Sequence, residues 1–196
     1  MEVDKRRRSG RWKMLLVVAV CAAPMIASYL TYYVIKPEGR TNYGMLIDPR
    51  QHPLPDLGSS ALDGAKAGLG DYKGKWIMLQ VDRAGCAAAC RGKLFTMRQL
   101  RLMQGKDMER IERVWLVTDK EPVETLLMRE YDGTDMLRVD AAKVKSWLPV
   151  DEGTSAEDHI YLIDPLGNLM MRFPKDPDPN KMKKDISKLL RASAIG

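Results

Sequence analysis

Beyond residue 69, apolar residues fall into short blocks of two alternating kinds, which predict strands and helices in turn. Continuous apolar blocks predict strands at 75–82, 114–118, 160–163 and 169–173. Helical spacing of apolar residues predicts helices at 90–104, 122–131 and 180–191. Residues 137–158 give no clear pattern and are expected to hold a short element and a loop. The order strand–helix–strand–helix–hairpin–helix predicts an α/β fold with a mixed sheet covered by helices.

A long apolar run near the N-terminus predicts a membrane anchor. Residues 14–35 form a stretch of 22 residues without a formal charge. A helix rises about 1.5 Å per residue, so this run would extend roughly 33 Å, enough to cross a bilayer core of about 30 Å. A cleaved secretory signal is the alternative, but its apolar core would be only about 7–15 residues long. We interpret Cys21, inside the run, as an apolar filler.

The basic excess of the chain lies before and around this run. Residues 1–36 carry seven basic and two acidic side chains, whereas the rest of the chain carries 25 basic and 24 acidic ones. Such a balance leaves the folded part without a charge surplus for polyanions, which argues against nucleic-acid binding. The basic arm is expected to stay cytoplasmic. The predicted segments are a basic arm at 1–13, a transmembrane anchor at 14–35, a linker with irregular edge structure at 36–68 and a folded domain at 69–196.

Two of the three cysteines, Cys86 and Cys90, are separated by three alanines and follow the first predicted strand. In a helical turn, residues four apart lie on one face, at a Cα distance that permits a disulfide. The positive end of a helix favours thiolates, which exchange disulfides and bind soft metal ions. The spacing leaves open a redox-active pair, a metal-binding pair, and a structural disulfide or inert buried pair.

The chain has only two histidines, and one of them, His159, directly precedes the predicted strand 160–163. In a thioredoxin-like fold, the start of that strand would lie beside the cysteine turn. Two sulfurs and one imidazole nitrogen suit copper best, whereas zinc would need a fourth ligand. Taken alone, a histidine in this position is more often a surface or capping residue. The other histidine, His52, is interpreted as part of the linker.

Several short motifs together resemble the Sco/SenC family, the thioredoxin-fold, membrane-anchored proteins of cytochrome c oxidase assembly. They are a basic arm with one anchor, the turn GDYKGKW at 70–76, the pair Cys86-x3-Cys90, the strand ending LVTD at 116–119, and the block DHIYLIDPLG at 158–167. The last block is the most specific, because in the family a histidine before such a strand and turn joins two cysteines in holding copper. The sequence departs from the family where Ala87 and Arg91 replace the prolines that usually follow the cysteines.

The resemblance implies a thioredoxin-like mixed sheet with flanking helices, preceded by one transmembrane helix. It implies that Cys86, Cys90 and His159 hold one copper ion per chain, as Cu(I) or Cu(II). The implied partners are the copper-bearing subunit of cytochrome c oxidase and other assembly factors. The acidic residues Glu2 and Asp4 argue against a mitochondrial leader. A single-pass protein of the bacterial inner membrane is therefore expected, with its N-terminus cytoplasmic and its domain periplasmic.

Three functions remain open at this point. The first is a copper metallochaperone that delivers copper from Cys86, Cys90 and His159 to the dicopper site of the oxidase. The second is a thiol–disulfide oxidoreductase in which Cys86 attacks and Cys90 resolves, acting on the cysteine pair of the same site before copper enters. The third is a non-catalytic thioredoxin-like assembly scaffold. The sequence contains no hydrolase nucleophile motif, phosphate loop or zinc-protease motif.

Overall fold

The computed structural model describes residues 2–35 and 42–195, which fall into two units. The first unit is a helix, α1 (Glu2–Leu30), extended by a π-helical turn at Thr31–Ile35. Its segment Trp12–Val34 has 23 residues with a mean hydropathy of 2.1, and none of it is buried. Length and composition therefore allow this helix to cross a membrane, as the apolar run predicts.

The second unit begins at Asn42 and is built on one sheet. Within the described residues the sheet has seven strands: β1 (Met45–Leu46), β2 (Ser60–Ala61), β3 (Trp76–Asp82), β4 (Ile111–Val117), β5 (Thr134–Arg138), β6 (Ile160–Ile163) and β7 (Leu169–Arg172). Their order across the sheet is β1-β7-β6-β3-β4-β5-β2. The three strands β3, β4 and β5 are parallel, and the remaining pairs are antiparallel.

Helices cover the sheet because its central strands are apolar on both faces. The helices of this unit are α2 (Ala88–Leu102), α3 (Thr125–Glu130), α4 (Ala141–Trp147) and α5 (Pro179–Ala192). On one face, Ile77, Leu79 and Val81 of β3 pack in a cluster with Val144 and Trp147 of α4. On the other face, side chains of β3, β4, β6 and β7 pack against α2, α3 and α5. Because side chains point to alternate faces along β3, every second residue of this strand lies on the sheet face that α2 covers.

The predicted α/β mixed sheet with flanking helices is confirmed, with differences at its margins. Strand β5 and helix α4 lie in or beside the stretch that showed no clear pattern. Helix α3 begins at Thr125, so the prediction of a start at Pro122 is wrong. The backbone before it stays extended, because Val123 is buried beside the cysteines and Glu124 pairs with Arg91.

The division into two units predicts that the chain partitions differently between membrane and supernatant with and without its first unit. The full chain is expected to sediment with membranes and to be released by detergent but not by alkaline carbonate. A fragment of residues 42–196 is expected to stay in the supernatant, because the buried clusters of the second unit involve none of the helix residues. Release of the full chain by carbonate alone would contradict a membrane-spanning role for α1.

Candidate functional site

The two cysteines of the Cys-x3-Cys motif are joined by a disulfide where β3 passes into α2. Cys86 lies in the turn after β3, with its amide donating to the carbonyl of Arg83 (3.1 Å) and a φ of 36°. Ala87 caps the helix and Cys90 lies in its first turn. The expectation that both cysteines share one helical face is therefore wrong in detail, because only Cys90 is helical. The Cα atoms are nevertheless 5.1 Å apart, within the usual range for a disulfide.

The disulfide is buried. Cys86 is 2% exposed and Cys90 is 1% exposed. We call the side chains packed around the two sulfurs the disulfide cluster: Ala84, Leu94, Trp115, Val117, Val123, Leu127, Tyr131 and Met136. A partner thiol can reach a sulfur only if part of this cluster moves aside.

The turn that carries Cys86 is held by polar contacts at the surface. The amide of Ala84 donates to the carboxylate of Asp119 at 3.1 Å, which ties the turn to the end of β4. Arg91 donates from Nε to the carbonyl of Cys86 at 3.2 Å and pairs with Glu124 at 3.1 Å. Both side chains of this ion pair are about half exposed, so the pair contributes at most about 1 kcal/mol. The polar part of the contact between the turn and the start of α3 is thus weak.

Two polar side chains lie beneath the disulfide on the central strands. Gln80 of β3 is fully buried, and its Nε2 donates to Sγ of Cys90 at 3.6 Å. Trp115 of β4, its neighbour in the parallel ladder, is also fully buried and belongs to the disulfide cluster. Gln80 Oε1 and Trp115 Nε1 have no hydrogen-bond partner among the described residues. An acceptor and a donor are therefore left unsatisfied close to the sulfurs.

His159 is fully buried, and both of its ring nitrogens are engaged. Nδ1 lies 2.9 Å from the carbonyl oxygen of Phe173, and Nε2 lies 2.8 Å from the hydroxyl of Thr154. A carbonyl can only accept, so Nδ1 carries the proton. Nε2 contacts the Thr154 hydroxyl, whose single hydrogen is shared between this nitrogen and the carbonyl of Asp151 at 2.8 Å. Burial lowers the pKa of His159, against the opposing effect of the Phe173 carbonyl. The imidazole therefore links the start of β6 to the end of β7 and to the loop that precedes β6.

A lysine ammonium lies between α2 and the segment that leads to His159. Lys93 is only 8% exposed and donates to the carbonyl of Val81 at 3.1 Å and to the carboxylate of Asp82 at 3.3 Å. It also donates to the carbonyl of Glu157, two residues before His159. Burial lowers the pKa of Lys93, and the carboxylate of Asp82 opposes that effect. A fixed positive charge thus fastens the segment before β6 to α2.

These contacts do not fit a three-ligand copper site in the conformation described. The two sulfurs are bonded to each other, and both nitrogens of His159 are occupied within the protein. In residues 2–35 and 42–195, no group of three or more histidine, cysteine, aspartate or glutamate side chains is arranged to hold a metal ion. The structure thus brings Cys86 and Cys90 together and leaves His159 bound elsewhere. Copper ligation by all three stays a prediction, and it would require a reduced pair and a released imidazole.

A mixed sheet with a cysteine pair between a central strand and the following helix is characteristic of thioredoxin-fold proteins, and α1 adds a candidate membrane span. A family model described as "Transmembrane-like, thioredoxin-like, C-terminal domain" matches residues 76–193, more than half of the chain. The corresponding "Transmembrane-like, N-terminal domain" model matches residues 3–34. The chain therefore belongs to this family of transmembrane-like, thioredoxin-like proteins.

Solved structures of Sco proteins share the fold of the second unit. A SCO1/SenC family lipoprotein from Bacillus anthracis superposes with a TM-score of 0.56 and 18% identity, covering 72% of this chain and 94% of that one. ScoI from Bradyrhizobium japonicum, solved with copper bound, gives 0.51 and 18%, covering 71% and 98%. Yeast Sco1 gives 0.55 and 14%, covering 72% and 99%. The resemblance to Sco/SenC proteins is thereby confirmed at the level of the fold. No curated protein matches the chain.

Sequence reasoning missed two buried polar residues at this site. Gln80 interrupts an otherwise apolar strand block, and that interruption was the available signal. Lys93 gave no signal, because a lysine in an amphipathic helix is normally assigned to the exposed face. Burial of a polar side chain depends on what covers it, and only the tertiary structure shows that.

The burial of His159 predicts a pH dependence of stability. Since the pKa of the ring is lowered in the folded protein, the unfolded chain binds a proton first as the pH falls below about 6.5. The free energy of unfolding of fragment 42–196 is expected to decrease between pH 7.5 and 5.5, and to decrease less in His159→Gln. Chemical denaturation at each pH measures this.

The matched control for that experiment is His52→Gln, which removes the other histidine of the chain. His52 contacts the carbonyl of Trp147 at 3.3 Å and is only partly buried. A pH dependence that disappears in His52→Gln and persists in His159→Gln would contradict the role given to His159.

Proposed function

We propose that this protein is a membrane-anchored thiol–disulfide exchange protein that maintains the cysteines of a copper site during its assembly. The observation that carries the proposal is the Cys86–Cys90 disulfide at the start of α2, directly after a central strand. A helix start lowers the pKa of a thiol placed there, and thiolates are the species that exchange disulfides.

The exchange conserves electrons and protons. In the reduced protein, the Cys86 thiolate attacks one sulfur of a substrate disulfide, forming a mixed disulfide and releasing the other substrate sulfur as a thiolate. Cys90 then attacks Cys86, which closes the Cys86–Cys90 bond and frees the second substrate thiol. Two electrons pass to the substrate, and the two protons of the protein thiols pass to its sulfurs or to solvent.

A purely structural disulfide is the main competing role, and the short span of this bond weighs against it. In the chain-entropy description, closing a loop of about five residues restricts the unfolded chain by only about 2 kcal/mol, against about 4.7 kcal/mol for a loop of 100. The 155 residues of the second unit already bury three apolar clusters. Stability therefore gives little reason for a bond at this position.

The copper-related part of the proposal is supported by the similarity to Sco proteins, including those solved with copper bound. The engaged nitrogens of His159 favour an action on the cysteines of the acceptor over storage of copper in this chain. As acceptor we propose the copper-bearing subunit of cytochrome c oxidase, together with other assembly factors. The basic arm before the apolar run 14–35 supports a cytoplasmic N-terminus and a periplasmic domain at a bacterial inner membrane.

The reaction is tested with the reduced full-length protein in detergent micelles and a peptide that holds one internal disulfide. Wild type is expected to reduce the peptide, Cys86→Ser to be inactive, and Cys90→Ser to stop at a mixed disulfide through Cys86. Mass spectrometry identifies each species. Cys21→Ser is the matched control, since Cys21 lies in α1, and it should exchange like wild type. A wild type that reduces the peptide no faster than the double variant Cys86→Ser, Cys90→Ser would leave only a scaffold role.

Copper retention by the same protein distinguishes a role in thiol–disulfide exchange from a role in copper storage. After reduction, incubation with Cu(I) and desalting, His159→Gln is expected to retain as much copper as wild type, measured by elemental analysis. One copper per wild-type chain that is lost in His159→Gln would instead support the three-ligand metallochaperone.

Access to the disulfide provides a further prediction. Because the exposed Arg91–Glu124 pair holds the start of α3 against the turn of Cys86, its removal should ease opening. Glu124→Gln is expected to speed reduction by dithiothreitol by up to about fivefold, the equivalent of about 1 kcal/mol. Glu109→Gln, which breaks the exposed pair with Arg101 away from the cysteines, is the control. Equal rates of reduction in wild type and Glu124→Gln would show that access to the disulfide does not depend on this ion pair.

A further inference from the structure

The buried amide of Gln80 faces the disulfide from below and is only half satisfied. Its Nε2 donates to Sγ of Cys90 at 3.6 Å, whereas its Oε1 has no partner among the described residues. The side chain is fully buried, so it has no access to bulk water. An acceptor without a donor in a buried place disfavours the state of the protein in which it occurs.

Reduction of the disulfide would supply the missing donor. A disulfide sulfur has no proton to give, whereas a Cys90 thiol carries an S–H within reach of the same amide. If Cys90 is a thiolate, Nε2 still donates to it, and such a hydrogen bond to a charged sulfur is stronger than one to a disulfide. The amide can therefore serve the reduced sulfur in either form, while it serves the oxidised sulfur only weakly.

A second unsatisfied group lies next to the first. Trp115 is the cross-strand neighbour of Gln80, is fully buried in the disulfide cluster, and has an Nε1 without a partner among the described residues. Indole nitrogen is a donor only, and in the cluster around the sulfurs it has no acceptor among the described residues. Two neighbouring buried polar groups beneath the disulfide are thus unsatisfied while the bond is closed.

We propose that Gln80 is a positioning residue of the redox pair, which stabilises the reduced form of Cys90 and raises the tendency of the Cys86–Cys90 bond to accept electrons. This inference rests on the proposed exchange function, since it matters only if the bond opens and closes. Gln80 takes up no electrons or protons itself. It shifts the equilibrium between disulfide plus two glutathione thiols and dithiol plus glutathione disulfide.

The test measures that equilibrium constant in full-length protein in detergent micelles, in the background Cys21→Ser, by alkylation and mass spectrometry across glutathione ratios. Gln80→Met keeps the length of the side chain and removes both polar atoms. It is expected to shift the equilibrium about tenfold toward the disulfide, equivalent to about 30 mV. Gln80→Leu is expected to shift the equilibrium in the same direction. This variant replaces Gln80→Met in the test if Gln80→Met does not fold.

The control is Met78→Leu, on the same face of β3 and equally buried, in a cluster that does not contain the cysteines. A packing defect changes thermal stability in any of these variants, but it does not by itself move the redox equilibrium. Met78→Leu should therefore keep the wild-type equilibrium constant within about twofold. Gln80 variants within twofold of wild type, or shifted toward the dithiol, would overturn the inference. A wild-type bond that does not equilibrate with glutathione would instead overturn the proposed function.

Discussion

The chemistry of the candidate site depends on how one short disulfide is packed against the centre of a sheet. Strands β3 and β4 run in parallel, and the turn after β3 brings Cys86 and Cys90 back over their ends. Apolar side chains from β4 and α3 close around the sulfurs. The bond is therefore kept from solvent by residues of α2, β4, α3 and β5. The start of α3 is held to the turn by the apolar contacts of Val123 and Leu127 and by the exposed Arg91–Glu124 pair. The contacts that shield the disulfide from solvent are therefore also the contacts that must open before a partner thiol can reach a sulfur.

The surroundings of the cysteine pair differ from those that a three-ligand copper site needs. A copper site needs free sulfur and nitrogen lone pairs directed at one point. Here the imidazole of His159 is used to join two strands to a loop, and the ammonium of Lys93 brings a fixed positive charge to the segment before that imidazole. With the imidazole occupied and the ammonium paired with Asp82, the two cysteines are the groups left for chemistry at this site. The Sco-like fold is thus combined with polar contacts that suit thiol chemistry.

The elements that the sequence predicts well are those with a strong apolar period, such as β3, β4, α2 and α5. Strand β5 mixes polar and apolar residues, and α4 has only two turns, so their existence depends on neighbours that no local pattern reveals. The same limit applies to the site. Spacing located the cysteine pair, but the partners of His159 are Thr154, in the loop just before it, and the backbone of Phe173 at the end of β7. Whether a histidine nitrogen is free to bind a metal ion therefore depends on the tertiary structure.

The central claim is that the Cys86–Cys90 bond is a working redox couple in a fold that does not need it. The most direct test is a redox titration of the full-length protein, with the fold followed by circular dichroism at each potential. The account predicts reversible, two-electron reduction at a potential above about −300 mV, the region below which structural disulfides lie, without loss of the circular dichroism signal. Reduction that occurs only below that potential, or only together with unfolding, would contradict it and would leave the disulfide as a structural bond.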